Sequence, residues 1–199
     1  MKATFPCTKE NLFEFSKEHP AVLERYRDEL AAMEKRHREE LVDPDDEQLI
    51  AKMLGAGLES IPTGNANASD YHSLMLGVLE FLFYPNLLYP RKEQEIHEGR
   101  KRIDILTENG AHSGVFWRHH EVQKIPCAYV AFECKNYTTE VANPELDQLA
   151  GRFGVNRGML GFLCCRHFED RDRFVARCRD TCKDGRGLIL PMDDRAIRR

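Results

Sequence analysis

The most informative stretch of the chain is Ala128-Tyr129-Val130-Ala131-Phe132-Glu133-Cys134-Lys135, a run of β-forming side chains that ends in an acid and an amine. Such a run is typical of a strand that enters a sheet. Because side chains alternate faces along a strand, Glu133 and Lys135 are predicted to point to one face, and Phe132 and Cys134 to the other. The sequence thus presents a carboxylate and an ammonium together at the end of a core strand.

The segments around this strand alternate between helical and extended periodicity. The predicted elements are a helix from Ser69 or Asp70 to Tyr84, strands over 91–97 and 101–107 with a tight turn at 98–100, a helix over 143–153, a strand over 159–165, a helix over 169–182 and a strand over 187–190. The order is therefore helix, three strands, helix, strand, helix, strand. This order favours a layered α/β fold.

The first third of the chain has a different pattern. From Pro20 onward, apolar residues recur at three- and four-residue steps among charged ones, which predicts one long amphipathic helix. A second helix is predicted over 47–58, and the turn-forming stretch 62–67 follows it. We therefore expect a helical region over 1–62, a main domain over 68–192 and a tail over 193–199.

The composition is that of an ordinary globular protein. Of 199 residues, 42% are hydrophobic and 31% are charged. No run approaches the roughly 20 apolar residues of a membrane-spanning helix, and the first residues lack the apolar stretch of a signal peptide. The seven cysteines contain no CxxC pair. We expect an intracellular, cytoplasmic protein with no membrane partner, whose cysteines are reduced and mostly buried.

The net charge of −4 conceals an asymmetry along the chain. Residues 151–199 carry 12 basic and 7 acidic side chains, whereas residues 1–60 carry 9 and 14. Eleven of those 12 cations are arginine, whose planar guanidinium matches phosphate. A polyanion is therefore a permitted partner. The alternative is that these arginines pair with neighbouring acids on solvated helix faces.

Two further acids are candidates for the site of Glu133. Asp104 lies in the predicted strand 101–107, which adjoins the strand of Glu133, so the two carboxylates can lie side by side. Clustered carboxylates repel each other, and a hard divalent cation, commonly Mg²⁺, is the usual relief.

Glu80 is the single charge between residues 74 and 83. A carboxylate in so apolar a helix is costly unless it is paired, binds a metal or lies on a wet edge.

Taken together, Glu80, Asp104, Glu133 and Lys135 resemble the PD-(D/E)xK nuclease superfamily, which includes the archaeal Holliday junction resolvases. The resemblance rests on the order of these residues and on the element that carries each, and it covers about residues 68–192. It implies a three-layer, restriction-endonuclease-like α/β core with the N-terminal helical region attached.

The chain departs from the superfamily pattern at two points. Ile103 stands where proline is frequent before the first aspartate, and Glu133 follows Asp104 at a spacing of 29 positions. The long spacing predicts an inserted excursion over 113–126.

The resemblance implies a Mg²⁺-dependent endonuclease, in which Mn²⁺ can substitute, that hydrolyses DNA in a restriction, defence or repair setting and leaves a 5′-phosphate. Asp104, Glu133 and the main-chain carbonyl of Cys134 would hold the metal. Glu80 would bind a second ion or a metal-bound water. Lys135 would hold the attacking water and help to deprotonate it.

The helix predicted over 143–153 carries Gln148 and Arg152 at i and i+4, opposite its apolar stripe. In members of the superfamily that keep a glutamine there, it lies near the active site and helps to position water or phosphate. Gln148 is therefore a catalytic candidate, with a solvated surface residue as the alternative. His119 and His120 are not expected to bind a metal, because no cysteine stands at zinc-ligand spacing from them.

Two other functions stay open at the level of the sequence. One is a catalytically silent nuclease-fold module that binds nucleic acid or a partner protein without cutting, although the retention of all the site residues argues against it. The other is a docking role for the N-terminal helices, in a homodimer or with a partner protein. Duplex, branched and single-stranded DNA are equally open as substrates, because no DNA-reading motif accompanies the core.

Overall fold

The computed structural model describes residues 8–41, 44–96, 98 and 100–198. In these ranges the α-helices are α1 (Lys9–Glu18), α2 (Pro20–Leu41), α3 (Pro44–Ser60), α4 (Ala68–Phe83), α5 (Gly114–Trp117), α6 (Asn143–Ala150), α7 (Arg171–Lys183) and α8 (Asp194–Ile197). The strands are β1 (Leu87–Ile96), β2 (Lys101–Asn109), β3 (Tyr129–Lys135), β4 (Leu160–Cys165) and β5 (Leu188–Asp193). A 3₁₀ turn, Asn65–Asn67, precedes α4, and a π-helical turn, Arg118–Val122, follows α5.

The five strands form one mixed sheet in the order β1-β2-β3-β4-β5. β1, β2 and β3 are antiparallel neighbours, whereas β4 and β5 run parallel to β3. The parallel pairs need crossover connections, which α6 and α7 supply. The predicted α/β class is therefore confirmed, and β3 is the strand at which the antiparallel and parallel parts of the sheet meet.

Both faces of the sheet are covered by buried apolar side chains. On one face, Phe132 of β3 and Phe162 of β4 stack with ring centroids 5.0 Å apart and pack with Tyr71 and Met75 of α4. The other face contains Leu163 and Ile189 together with Leu149 of α6 and Phe174 of α7. Fully burying an aliphatic or aromatic side chain of this size contributes about 1.5–3 kcal/mol, so these two clusters dominate the stability of the sheet.

The side-chain alternation predicted for β3 is found in the structure. Phe132 and Cys134 lie in the cluster beneath α4. Glu133 and Lys135 lie on the opposite face, where both contact Gln148 of α6. The sheet therefore presents the acid and the amine to the helix that follows them in the chain.

The chain divides into two compact units, Met1–Gln48 and Leu49–Arg199. The sequence instead placed a boundary after residue 62. The difference arises from α3, whose C-terminal half supplies Leu58 to the buried core, with Leu54 and Ile61 packed against it. Periodicity located the helix, but it could not reveal which core its apolar face joins.

The C-terminal segment is also part of the second unit, although the sequence predicted a tail over 193–199. Asp194 begins α8 and is buried. Its carboxylate accepts a hydrogen bond from the Tyr71 hydroxyl at 3.1 Å and pairs with Arg166 Nε at 3.1 Å. Burial raises the pKa of Asp194, and the Arg166 charge opposes that rise. These contacts fasten the segment to α4 and to the end of β4.

The N-terminal unit contains α1 and α2. The long helix predicted from Pro20 is present as α2, whereas α1 was not predicted; the Thr8 side chain caps it by accepting the Asn11 N–H at 3.3 Å. α1 has no buried residue, and large apolar side chains such as Phe13 and Tyr26 are exposed. No helix in the described ranges has the length and apolar character needed to cross a membrane.

The excursion predicted over 113–126 is helical and anchored in the core. Phe116 of α5 is buried and lies edge-on to Phe83 of α4, with ring centroids 5.5 Å apart. His119 and His120 lie in the π-helical turn, where His119 contacts Gln123 and His120 Nδ1 accepts the Cys127 N–H at 3.3 Å. The excursion is therefore a packed part of the second unit.

Candidate active site

The C-terminal end of β3 opens into a cleft of about 540 Å³. The residues that line it come from the start of α4, the start of β2, the end of β3 and the end of α6: Asn65, Ala68, His72, Arg100, Lys101, Arg102, Asp104, Glu133, Cys134, Lys135, Asn136, Tyr137, Asp147, Gln148, Gly151 and Arg152. The cleft therefore contains Asp104, Glu133, Lys135 and Gln148, four of the side chains selected from the sequence.

Glu133 is the buried centre of this cleft, with 0% of its side chain exposed. Its Oε1 accepts hydrogen bonds from Lys135 Nζ at 2.7 Å and Gln148 Nε2 at 2.6 Å, and its Oε2 accepts one from Arg152 Nε at 3.3 Å. Burial raises the pKa of Glu133 and the charge of Asp104 raises it further, while Lys135 and Arg152 oppose the rise. The site thus holds a carboxylate that is harder to ionise than an ordinary glutamate.

Lys135 connects β3 to α6. Its Nζ donates to Glu133 Oε1 and, at 3.2 Å, to Gln148 Oε1. Burial alone would lower the pKa of Lys135, but attraction to the Glu133 carboxylate outweighs it, and the pKa is raised. Lys135 therefore stays protonated near neutral pH. As an ammonium, it can orient a water or stabilise negative charge.

Asp104 lies where β2 separates from β3. The paired residues of these two strands begin at Ile105, one position after Asp104. In place of a backbone partner, the N–H of Cys134 donates to Asp104 Oδ2 at 2.9 Å. The Asp104 carboxylate thus substitutes for a backbone acceptor, and this contact holds it close enough to Glu133 to affect its pKa.

His72 of α4 belongs to the cleft and was not selected from the sequence. Its Nε2 lies 2.9 Å from the carbonyl oxygen of Cys134 and 3.8 Å from Asp104 Oδ2. The imidazole is therefore adjacent to two of the groups expected to hold a metal. The sequence feature that could have indicated His72 is a polar residue in the first turns of an otherwise apolar helix. A lone histidine at such a position does not by itself indicate a functional site.

Glu80 is not brought into the cleft. Its side chain is exposed, and it is not among the lining residues. It lies eight residues after His72, about 12 Å farther along the axis of α4. Because α4 reaches the cleft with its N-terminal end, an acid near its C-terminal end faces solvent. Glu80 therefore lies on the solvent-exposed side of the helix, where its charge needs no partner, and we assign it no metal.

Gln148 and Arg152 both reach the site, as their spacing allows. Gln148 donates to Glu133 through Nε2 and accepts from Lys135 through Oε1, so it links the two. Arg152 follows the end of α6 and pairs with Glu133 from the other side. The amide and the guanidinium therefore fix both oxygens of the buried carboxylate.

The donor atoms suit a hard cation. The carboxylates of Asp104 and Glu133 and the carbonyl of Cys134 are oxygen ligands, and Mg²⁺ commonly takes one or two carboxylates and completes its shell with water and phosphate. Within the described part of the chain, no three His, Cys, Asp or Glu side chains are grouped as a metal site. The donor set for a cation thus comprises two carboxylates and one carbonyl, which is the donor chemistry that Mg²⁺ takes.

Several C-terminal arginines are engaged in ion pairs and do not themselves line the cleft. Arg166 pairs with Asp194, Arg186 Nη1 with Asp147 at 2.8 Å, and Arg198 with Glu59. In the lining set, the C-terminal quarter supplies one cation, Arg152, whereas the segment 100–102 supplies three. Three of the cations that border the cleft thus lie at the end of the β1–β2 connection and the start of β2.

The cysteines have the expected state. Within the described residues, Cys127, Cys134, Cys164, Cys165 and Cys178 are free and buried, and Cys182 is free and exposed. Cys7 lies outside the described residues.

No family model, curated protein or solved structure matches this chain.

Proposed function

We propose that the protein is a metal-dependent endonuclease of the PD-(D/E)xK type, which hydrolyses phosphodiester bonds in DNA. The observation that carries the proposal is the convergence of Asp104, Glu133 and Lys135 in one cleft from adjacent strands. Two carboxylates beside an ammonium are the groups that metal-assisted hydrolysis of a phosphodiester requires. The order of the elements and the mixed five-stranded sheet are compatible with a restriction-endonuclease-like core and support the proposal.

The ligands of the cation would be Asp104, Glu133 and the carbonyl of Cys134. A Mg²⁺ or Mn²⁺ ion bound there would withdraw charge from the phosphate and lower the pKa of a coordinated water. The chain's own contribution is to hold these oxygens on adjacent strands, with Cys134 N–H fixing the Asp104 carboxylate.

Lys135 orients the attacking water with its ammonium and remains charged throughout. The new bond joins the water oxygen to phosphorus, and the bond from phosphorus to the 3′ oxygen breaks. The water gives up its proton to solvent, and the departing 3′ oxygen takes one from solvent. The products are a 3′-hydroxyl and a 5′-phosphate. Gln148 keeps the ammonium in place through its contact with Nζ.

The cations at the rim support a polyanionic substrate. Arg100, Lys101 and Arg102 are exposed and line one side of the cleft. Lys101 Nζ lies 3.5 Å from the carbonyl of Gly151, which follows α6. Positive charges at the edge of a cleft attract the phosphates that flank a scissile bond.

The decisive experiment incubates the purified protein with plasmid, linear and branched DNA in Mg²⁺, in Mn²⁺ or in chelator. We expect metal-dependent nicking or cleavage that Asp104→Ala, Glu133→Ala and Lys135→Ala each abolish. Glu80→Ala is the matched control, since it removes an exposed acid outside the cleft and should cleave like the wild type. Thermal melting checks that each variant is folded. Undiminished cleavage by Glu133→Ala would overturn the proposal.

One observation favours a second candidate, a silent module that binds nucleic acid without cutting. Both oxygens of Glu133 are already engaged by Lys135, Gln148 and Arg152, so the carboxylate is neutralised within the protein. If this arrangement is permanent, the wild type will bind DNA but leave it intact in either metal. The same incubation, combined with a binding assay, therefore separates the two candidates.

A further inference from the structure

Arg152 has hydrogen-bonding capacity that the hydrolysis outlined above does not use. A guanidinium carries five N–H donors, and the Nε donor of Arg152 is hydrogen-bonded to Glu133. Among the described residues, its two terminal nitrogens have no protein partner. They are also not sealed from solvent, unlike Nη1 of Arg166, which is buried without a partner. Four N–H groups of Arg152 are thus available in the cleft.

The orientation of Arg152 is fixed before any ligand binds. Its backbone N–H donates to the carbonyl of Leu149 at 2.9 Å. Its own carbonyl accepts from Arg157 Nε at 3.0 Å, and Arg157 Nη2 donates to the carbonyl of Phe153 at 3.2 Å. With 10% of its side chain exposed, Arg152 is enclosed as well as anchored. A preorganised donor loses little entropy on binding, and it does not have to reorganise during a reaction.

The geometry fits a phosphate. A planar guanidinium with both amino groups available binds two oxygens of a phosphate at once, which an ammonium cannot do. Lys135 already donates to Glu133 and Gln148. Arg152 contacts the other oxygen of the same carboxylate, and both side chains line the cleft, so two cations border it beside Glu133.

We propose that Arg152 binds the non-bridging oxygens of the scissile phosphate and stabilises the charge that develops on them as water attacks. This inference rests on the endonuclease function proposed above. It makes Arg152 a catalytic residue, whereas a purely structural arginine would serve only to neutralise Glu133.

The test compares Arg152→Lys, Arg152→Ala and the control Arg179→Gln, which removes an exposed arginine of α7 that does not line the cleft. With saturating DNA, the cleavage rate should fall by about 100- to 1,000-fold in Arg152→Ala, the usual effect of losing one transition-state donor. Arg152→Lys keeps the charge beside Glu133 but cannot bind two oxygens, so it should be nearly as slow. Millimolar guanidinium should partly restore Arg152→Ala and leave Lys135→Ala inactive.

A binding measurement in chelator separates this inference from the proposed function. The affinity of a short single-stranded oligonucleotide should fall in both Arg152 variants. In Arg152→Ala, which loses the cation, the slope of log affinity against log salt should also decrease by about 0.7 for the lost phosphate contact. Arg179→Gln should leave both quantities unchanged.

The outcomes are distinct. If the wild type cleaves DNA, and Arg152→Lys cleaves it at the same rate and binds it with the same affinity, the inference fails and the proposed function stands. If the wild type cleaves nothing, the proposed function fails, and the binding slopes alone decide whether Arg152 holds a phosphate. Loss of activity in Arg152→Ala without rescue by guanidinium and without any change in oligonucleotide affinity would reduce Arg152 to an ion pair.

Discussion

Glu133 is the residue to which the other side chains of the cleft are tied. Three donors from β3 and from the region of α6 hold its two oxygens, and Asp104 acts on it from β2. A buried carboxylate is stable only with such partners, because an unpaired buried charge costs several kcal/mol. The same contacts that make the burial of Glu133 tolerable also position Lys135 and Arg152.

Replacing Glu133 by glutamine should change how stability depends on pH. Because the pKa of Glu133 is raised above its usual 4.5, the folded protein binds this proton more tightly than the unfolded chain does. Between these two pKa values the folded state holds more protons, so the free energy of unfolding falls as pH rises. Glu133→Gln lacks that contribution. As the pH rises above about 4.5, its melting temperature should therefore increase relative to that of the wild type. Parallel melting curves from acid to neutral pH would contradict the raised pKa.

At the scale of elements, the strands and the longer helices were predictable because their periodicity is strong. β3, β4, α2, α4, α6 and α7 all lie where the sequence predicts them. The convergence of Asp104 and Glu133 followed from the adjacency of their strands. The sequence did not reveal which end of α4 meets the cleft, because that depends on how the helix packs across the sheet. For that reason Glu80 was selected and His72 was missed.

The segment 100–102 should determine the salt dependence of DNA binding. Replacing Arg100, Lys101 and Arg102 by glutamine should reduce the slope of log affinity against log salt by about 0.9 for each lost contact with duplex phosphate. Changing the exposed Arg173 and Arg179 of α7 to glutamine is the control and should leave the slope unchanged. A larger effect of the α7 pair would place the polyanion on the arginine-rich quarter of the chain instead. Fluorescence anisotropy at several salt concentrations measures both.

At the scale of the whole molecule, the chain consists of two units, and all the described residues that line the cleft belong to the second. The second unit also contains both buried clusters of the sheet, including Leu58 from α3. The catalytic chemistry proposed here therefore depends on Leu49–Arg199. None of the exposed apolar side chains described in α1 and α2 lines the cleft.

Removing residues 1–48 should leave the cleft intact. The truncated protein keeps Leu54, Leu58 and Ile61, which pack into the core, so its melting temperature should lie within a few degrees of that of the full chain. Its cleavage rate per molecule should also be retained. The measurement is calorimetry together with the DNA incubation described above. A folded but inactive product would show that the N-terminal unit takes part in the reaction.

The contacts that assemble the cleft join parts of the chain that are far apart in sequence. Asp104 meets Cys134 across 30 residues, and Asn136 donates to the carbonyl of Pro62 across 74. Outside the cleft, Arg166 donates to the carbonyl of Leu58 across 108. Contacts of such long range form late, after most of the entropy of loop closure has been lost. During synthesis, a ribosome-bound chain shorter than about 150 residues lacks Arg152 and the strand β4 that completes the sheet beside β3. The cleft is therefore completed only when the whole domain has been made, and an unfinished chain cannot yet hold Arg152 beside Glu133.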